Sequence, residues 1–337
     1  MSLAHGQPYR AIPGPSVIPD RVQRAMHRGS PNIYGEEIEA MVAGMIPDLR
    51  ALAGTKAHVA PYIGNGHAAW EAANANMFSR GETALVLASG HFGHGWARHA
   101  TDMGIKVEML DFGRQTQADP ARLEAALRAD REGRIKAVLV TQVDTASSIR
   151  NDIAALRAAM DAAGHSALLA VDCIASMGCD EYRMDDWGVD VTVAASQKGL
   201  MVPPGMAFVW FSEQARARCG VSDLATPYWR WGARAAPSEF WQYWFGTAPT
   251  VHLYGLREAL TMILHEEGLP AVWARHEALA RAVWAAFETW GQGNPAIAMN
   301  VARPEWRGRS VTAARLGAPD ATRLRAWCET QAGVTLG

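Results

Sequence analysis

Six short apolar runs, at residues 84–88, 105–110, 137–141, 167–172, 189–195 and 206–211, recur along the chain with amphipathic segments between several of them. Runs this short and rich in β-branched residues read as strands. Strands alternating with helices mean a mostly parallel sheet flanked by helices on both faces, an α/β fold. Ligands bind such sheets at the carboxyl ends of the strands. Some helix ends are legible: Asp119-Pro120 opens one helix, and Asn151 opens another that Gly164 closes. Ile38, Met41, Val42, Met45, Ile46, Leu49 and Leu52 recur at helical spacing, with Pro47 expected to kink that helix.

The 337 residues are 49% apolar and 20% charged, which suits one large or two medium globular domains. A formal net charge of -2 provides no field to draw nucleic acid or an anionic membrane. Cys173, Cys179, Cys219 and Cys328 lack metal-ligand spacing, so reduced thiols in a cytoplasmic protein are expected. The first eight residues carry no charged-then-apolar secretion signal, and no apolar run approaches membrane-spanning length.

Three parts are expected. Residues 1–29 form an arm, since Ile-Pro-Gly-Pro-Ser-Val-Ile-Pro at 12–19 is too proline-rich for a helix or an internal strand. Residues 30–250 form the large α/β domain. Residues 251–337 form a smaller α+β domain, with helices at 251–267 and 270–290, a strand at 310–316, a helix from Pro319 and a final strand at 333–337.

Lys198 stands just past the run Val-Asp-Val-Thr-Val-Ala-Ala at 189–195, and Asp172 ends the run before it. A lysine after a strand is in most chains a solvated turn residue. A carboxylate at the end of one strand and a lysine at the end of the next meet over one crevice, however, and together they match pyridoxal phosphate chemistry. The lysine forms a Schiff base, and the carboxylate keeps the pyridine nitrogen protonated so that the ring acts as an electron sink.

The segment Asp-Val-x-x-x-x-Ser-Gln-Lys-x-Leu-x-x-Pro-Pro-Gly, at 190–205, resembles the lysine segment of the class V aminotransferases, the alanine-glyoxylate and serine-glyoxylate group. The resemblance runs from about Pro13 to the last residue. It implies the fold-type-I transferase fold of pyridoxal phosphate enzymes and a homodimer with its sites at the subunit interface. It also implies transamination between alanine or serine and glyoxylate or pyruvate through a Lys198 aldimine.

Site residues follow from the same resemblance. Asn65-Gly66-His67 stands where the family's Ser-Gly-His or Ser-Gly-Thr cups the phosphate, with an amide in place of the first hydroxyl. The run 64–69 also fits the dinucleotide pattern Gly-x-Gly-x-x-Ala. That pattern wants an acidic residue about 20 positions on, where Ser89-Gly90 stands instead. A helix N-terminus that accepts a phosphate remains.

Phe92 takes the aromatic position over one ring face, Ile174 presses on the other, and Thr145 and Gln197 reach the ring oxygen or phosphate. Thr247 matches a threonine that touches the phosphate of the neighbouring subunit, while Trp244 replaces the family's tyrosine. Tyr34 and Trp244 face the substrate. His91, His94 and His99 lie close in sequence without a carboxylate or cysteine at suitable spacing, so no metal is expected. The family's arginine for the substrate carboxylate follows a segment like 333–337, past the last residue, and Arg150 and Arg230 are not ranked as substitutes by sequence.

Two other readings stay open. Ala88-Ser-Gly-His-Phe-Gly and the run 267–276 are similar to pyridoxamine-pyruvate aminotransferase, although its Gly-Glu-Pro phosphate loop is replaced by Asn65-Gly66-His67. The other is a cofactor-binding relative without turnover.

Overall fold

The computed structural model describes residues 9–317 and 320–337. Its central sheet has seven strands: β1 (His58–Gly64), β2 (Thr83–Ala88), β3 (Lys106–Asp111), β4 (Ile135–Thr141), β5 (Leu168–Asp172), β6 (Val191–Ala195) and β7 (Gly205–Phe211). Their spatial order is β1-β7-β6-β5-β4-β2-β3. β7 runs antiparallel to β1 and β6, and the remaining pairings are parallel. β2, β5 and β6 are buried at every position, which is why they read as unbroken apolar runs.

Six helices precede and interleave with these strands: α1 (Asp20–Met26), α2 (Glu36–Ala53), α3 (Gly66–Met77), α4 (His91–Asp102), α5 (Pro120–Ala129) and α6 (Ile153–Ala163). Alternate residues of β4 divide between two cores. Val138 and Val140 join Leu49, Leu123 and Leu156 from α2, α5 and α6, whereas Ala137 and Leu139 join Trp70 and Trp96 from α3 and α4. The helix Thr250–Leu260 adds Leu253, Leu256, Ala259 and Leu260 to the first of these cores.

Several expectations shift. β1 escapes sequence reading because Pro61 interrupts its pattern; a proline is tolerated there because β1 is an edge strand. Seven residues of the expected arm are helical, as α1. Pro47 lies inside a continuous α2. The stretch at 251–267 divides into Thr250–Leu260 and a wider π-turn, Thr261–Glu267. The expected strand at 310–316 shortens to Ala314–Leu316 and pairs with Ile297–Met299. Val334–Leu336 does form a strand, paired in parallel with Tyr9–Ala11 of the arm. Pro319, the expected start of the last helix, lies outside the described residues; Asp320–Trp327 is helical.

Asn151 does not cap α6. Asp152 does, accepting the Ala155 N–H, and Asn151 is instead a buried strut between strand ends. Its Nδ2 donates to Thr141 O at 2.8 Å and Ser89 Oγ at 3.0 Å, and its Oδ1 accepts from Ala118 N at 2.7 Å. Asn151→Ala strands these buried partners, so we expect a loss of about 2–3 kcal/mol, measured as a lower urea midpoint with an unchanged slope.

Candidate active site

The short return from β6 into antiparallel β7 creates the lysine loop. Ser196 closes it: its N–H donates to Met206 O at 3.0 Å, and its Oγ donates to Pro203 O at 2.7 Å. Lys198 lies at the apex, and its Nζ donates to Pro13 O at 2.6 Å. Burial lowers the Lys198 pKa, and the nearby Asp172 partly restores it. An amine with a lowered pKa is a better nucleophile and base near neutrality.

Asp172, at the carboxyl end of β5, is 4% exposed. Its Oδ1 accepts the Ile174 N–H at 2.7 Å, and its Oδ2 accepts the Trp70 indole N–H at 2.9 Å. Burial nonetheless pushes its pKa up to about 7, against the pull of these two donors and of Lys198, and with a further push from Asp144. The group therefore sits at the edge of ionisation near neutral pH.

Both residues line a cavity of about 270 Å³, close to the lower limit of roughly 300 Å³ seen for small-molecule sites. Its floor is the start of α3. Asn65 caps that helix, its Oδ1 accepting from His67 N at 3.1 Å and Ala68 N at 3.4 Å, which leaves its amide N–H groups as donors. Gly66 lets the helix approach closely, since a Cβ there would stand 2.6 Å from Ile174 Cδ1. Opposite, the start of α4 is fixed by buried Asp144, whose Oδ2 accepts from Phe92 N at 2.8 Å and Gly93 N at 3.1 Å. Gln197 Oε1 is buried without a hydrogen-bond partner.

The proline-rich arm covers the lysine. Ser16 donates from N to Gln197 O at 2.9 Å and from Oγ to Lys198 O at 2.6 Å. Gly14 has φ +141°, and a Cβ on it would stand 2.5 Å from Lys198 Nζ. Only glycine fits there without moving the amine.

Asn65, Gly66, His67, Phe92, Thr145, Asp172, Ile174, Gln197 and Lys198 are thus brought together. Two expected residues are not, and Thr247, expected at the neighbouring subunit's phosphate, is exposed. Tyr34 is 84% exposed, away from the cavity lining. Trp244, expected at the substrate, is 2% exposed in the core instead, because the short 3-10 turn Phe240–Tyr243 rolls it inward. Sequence reading missed Trp70, Asp144 and Gly14. Trp70 was visible in principle, one helical turn beyond Gly66 on the same face of α3.

Comparison with known proteins then decides the family. Residues 26–313 match the model of the family Aminotransferase class-V. The chain belongs to the class V aminotransferases. It is 37% identical to serine–glyoxylate aminotransferase of Methylorubrum extorquens, over 91% of this chain and 76% of that protein. It is 36% identical to L-aspartate–glyoxylate aminotransferase of Paracoccus denitrificans, over 90% and 76% respectively. The fold matches the crystal structure of alanine–glyoxylate aminotransferase from Nostoc sp., with a TM-score of 0.89 at 24% identity, covering 98% of this chain and 86% of that one.

Enzymes of this family work with pyridoxal phosphate, and the cavity offers what that group needs. It has an amine of lowered pKa, a buried carboxylate for a ring nitrogen and a helix N-terminus for a phosphate.

Two predictions follow from this geometry. The folded-state pKa of Asp172 is raised above its unfolded value, so its stabilising contribution is complete below about pH 4 and is lost as pH climbs to about 7. In cofactor-free protein we expect stability to fall by on the order of 4 kcal/mol from this group across that window, and Asp172→Asn to remove the slope in pH-dependent urea unfolding. Gly14→Ala displaces the Lys198 amine, and initial rates should drop on the order of 100-fold while circular dichroism stays unchanged.

Proposed function

We propose that the cavity holds pyridoxal phosphate and that the protein transfers an amino group between a small amino acid, serine or alanine, and glyoxylate or pyruvate. The observation that carries this reading is that Lys198 and Asp172 line one cavity, close enough for the carboxylate to act on the amine. When bound, the cofactor supplies an electron sink for the pair released at the substrate α-carbon.

Lys198 would hold the cofactor through its amine, and its Nζ would serve as the base that takes the substrate α-proton. Burial lowers its pKa, the direction that frees an amine to act as a base. Asp172 holds the ring nitrogen in its protonated form. Asn65, Gly66 and His67 at the positive end of α3 take the phosphate, with Gln197 and Thr145 beside the ring oxygen. Phe92 and Ile174 would flank the ring, and Gly14 and Pro15 line the cavity beside the lysine.

Within this reading the protein is a cytoplasmic homodimer. Support comes from exposed Trp241 and Phe245 beside exposed Thr247, an apolar surface with a hydroxyl at its edge, suited to reach a second copy's phosphate site.

Absorbance spectroscopy tests the assignment. Added pyridoxal phosphate should give the visible band of a lysine-bound cofactor, which L-serine or L-alanine bleaches and glyoxylate or pyruvate restores; Lys198→Ala should show no such band. L-aspartate belongs in the same panel. Failure of the parent protein to develop the band would sink the reading. Alanine formed from pyridoxamine and pyruvate, without tight binding of the phosphorylated cofactor, would move the assignment to vitamin transamination.

A further inference from the structure

We propose that Trp70 is a positioning residue for Asp172: its indole N–H and the Ile174 amide hold the two carboxylate oxygens in one orientation and favour the ionised form facing the cofactor ring. This rests on the reading of Asp172 as partner of the ring nitrogen.

Trp70 is 1% exposed, and its Nε1 lies 2.9 Å from Asp172 Oδ2. The indole has little freedom to turn away. It stacks on Trp96 at 6.0 Å and 7°, and it meets His67, His99 and Phe92 edge-on at 4.9, 5.3 and 6.3 Å. Trp96 is itself anchored, its Nε1 donating to Asn74 Oδ1 at 3.0 Å.

The chemistry of the donor matters. An indole N–H donates and cannot accept, so it supports a carboxylate oxygen and gives nothing to the O–H of a neutral acid. It also brings no positive charge that would compete with a protonated ring nitrogen, as an arginine would. Each Asp172 oxygen already accepts one N–H and keeps further acceptor capacity for the cavity. The charged and titratable groups around the pair are Asp144, Lys198 and Cys173 about Asp172, and His67 and His99 about Trp70. Asp144 opposes ionisation of Asp172, so a fixed neutral donor has a clear role.

The test compares Trp70→Phe with Trp96→Phe, a ring loss of the same kind in the same stack that does not touch Asp172. In cofactor-free protein, the melting-temperature deficit of Trp70→Phe should widen as pH rises from about 7 toward 9. Loss of a hydrogen bond to a charged group moves the Asp172 transition upward by about one unit or more. Trp96→Phe should run parallel to the parent, and the excess should vanish when both variants are made in an Asp172→Asn background.

In the holoprotein, the dissociation constant for pyridoxal phosphate should rise about tenfold more for Trp70→Phe than for Trp96→Phe. Should Trp70→Phe fail to fold, 3-benzothienylalanine at position 70 keeps the bicyclic ring and lacks the N–H. Equal, pH-independent deficits for the two variants, or an excess that survives Asp172→Asn, would overturn the inference. A parent protein that binds no pyridoxal phosphate would instead overturn the proposed function, with the cofactor-free comparison still deciding the role of Trp70.

Discussion

Burying the Asp172 carboxylate is the constraint on which the site depends. A charge taken out of water is held only by hydrogen bonds and countercharge. Here two N–H donors reach it, one from the turn after β5 and one from an indole on α3. The second donor obliges α3 to pack with Trp70 pointing under the sheet end. That packing in turn brings the helix N-terminus, with Asn65 and Gly66, into the same cavity as the lysine loop. One buried acid thereby fixes the distance between the part of the cavity suited to a phosphate and the part suited to a ring nitrogen.

The neighbouring strand ends are held by the same device. Asp144 fastens the start of α4 through Phe92 and Gly93, while Asn151 joins the ends of β2 and β4 through Ser89 and Thr141. Each is a short side chain that accepts or donates several bonds where strands stop and backbone groups lose their sheet partners. The strand ends beside the cavity are thereby tied together by buried polar side chains above an apolar core.

The parallel sheet was legible because its strands are buried on both faces, so that β2, β5 and β6 read as continuous apolar runs. The lysine and the acid were legible because they end two of those runs. β1 was hidden by Pro61, whose placement at an edge is a fact of tertiary arrangement. Trp244 was misplaced because an aromatic-dense segment carries no periodicity; which ring turns inward depends on a 3-10 turn that local sequence does not specify. Trp70 and Asp144 act through contacts 102 and 52 residues distant in sequence. Their roles emerge only when the sheet brings the helices together.

Lys198 is held in a different way from Asp172. Its amine bonds to a backbone carbonyl of the arm, and the arm is attached through Ser16 to the lysine loop and through Tyr9–Ala11 to the strand Val334–Leu336. A carbonyl on an extended segment is a weaker tether than a carboxylate set among packed rings, and it carries no charge that would oppose loss of the lysine proton. The difference suits the two roles proposed for them: a ring-nitrogen partner would stay in place, whereas an amine that is displaced and returns as a base would need freedom to move. The fold builds the first from core side chains and the second from a hairpin under a strap.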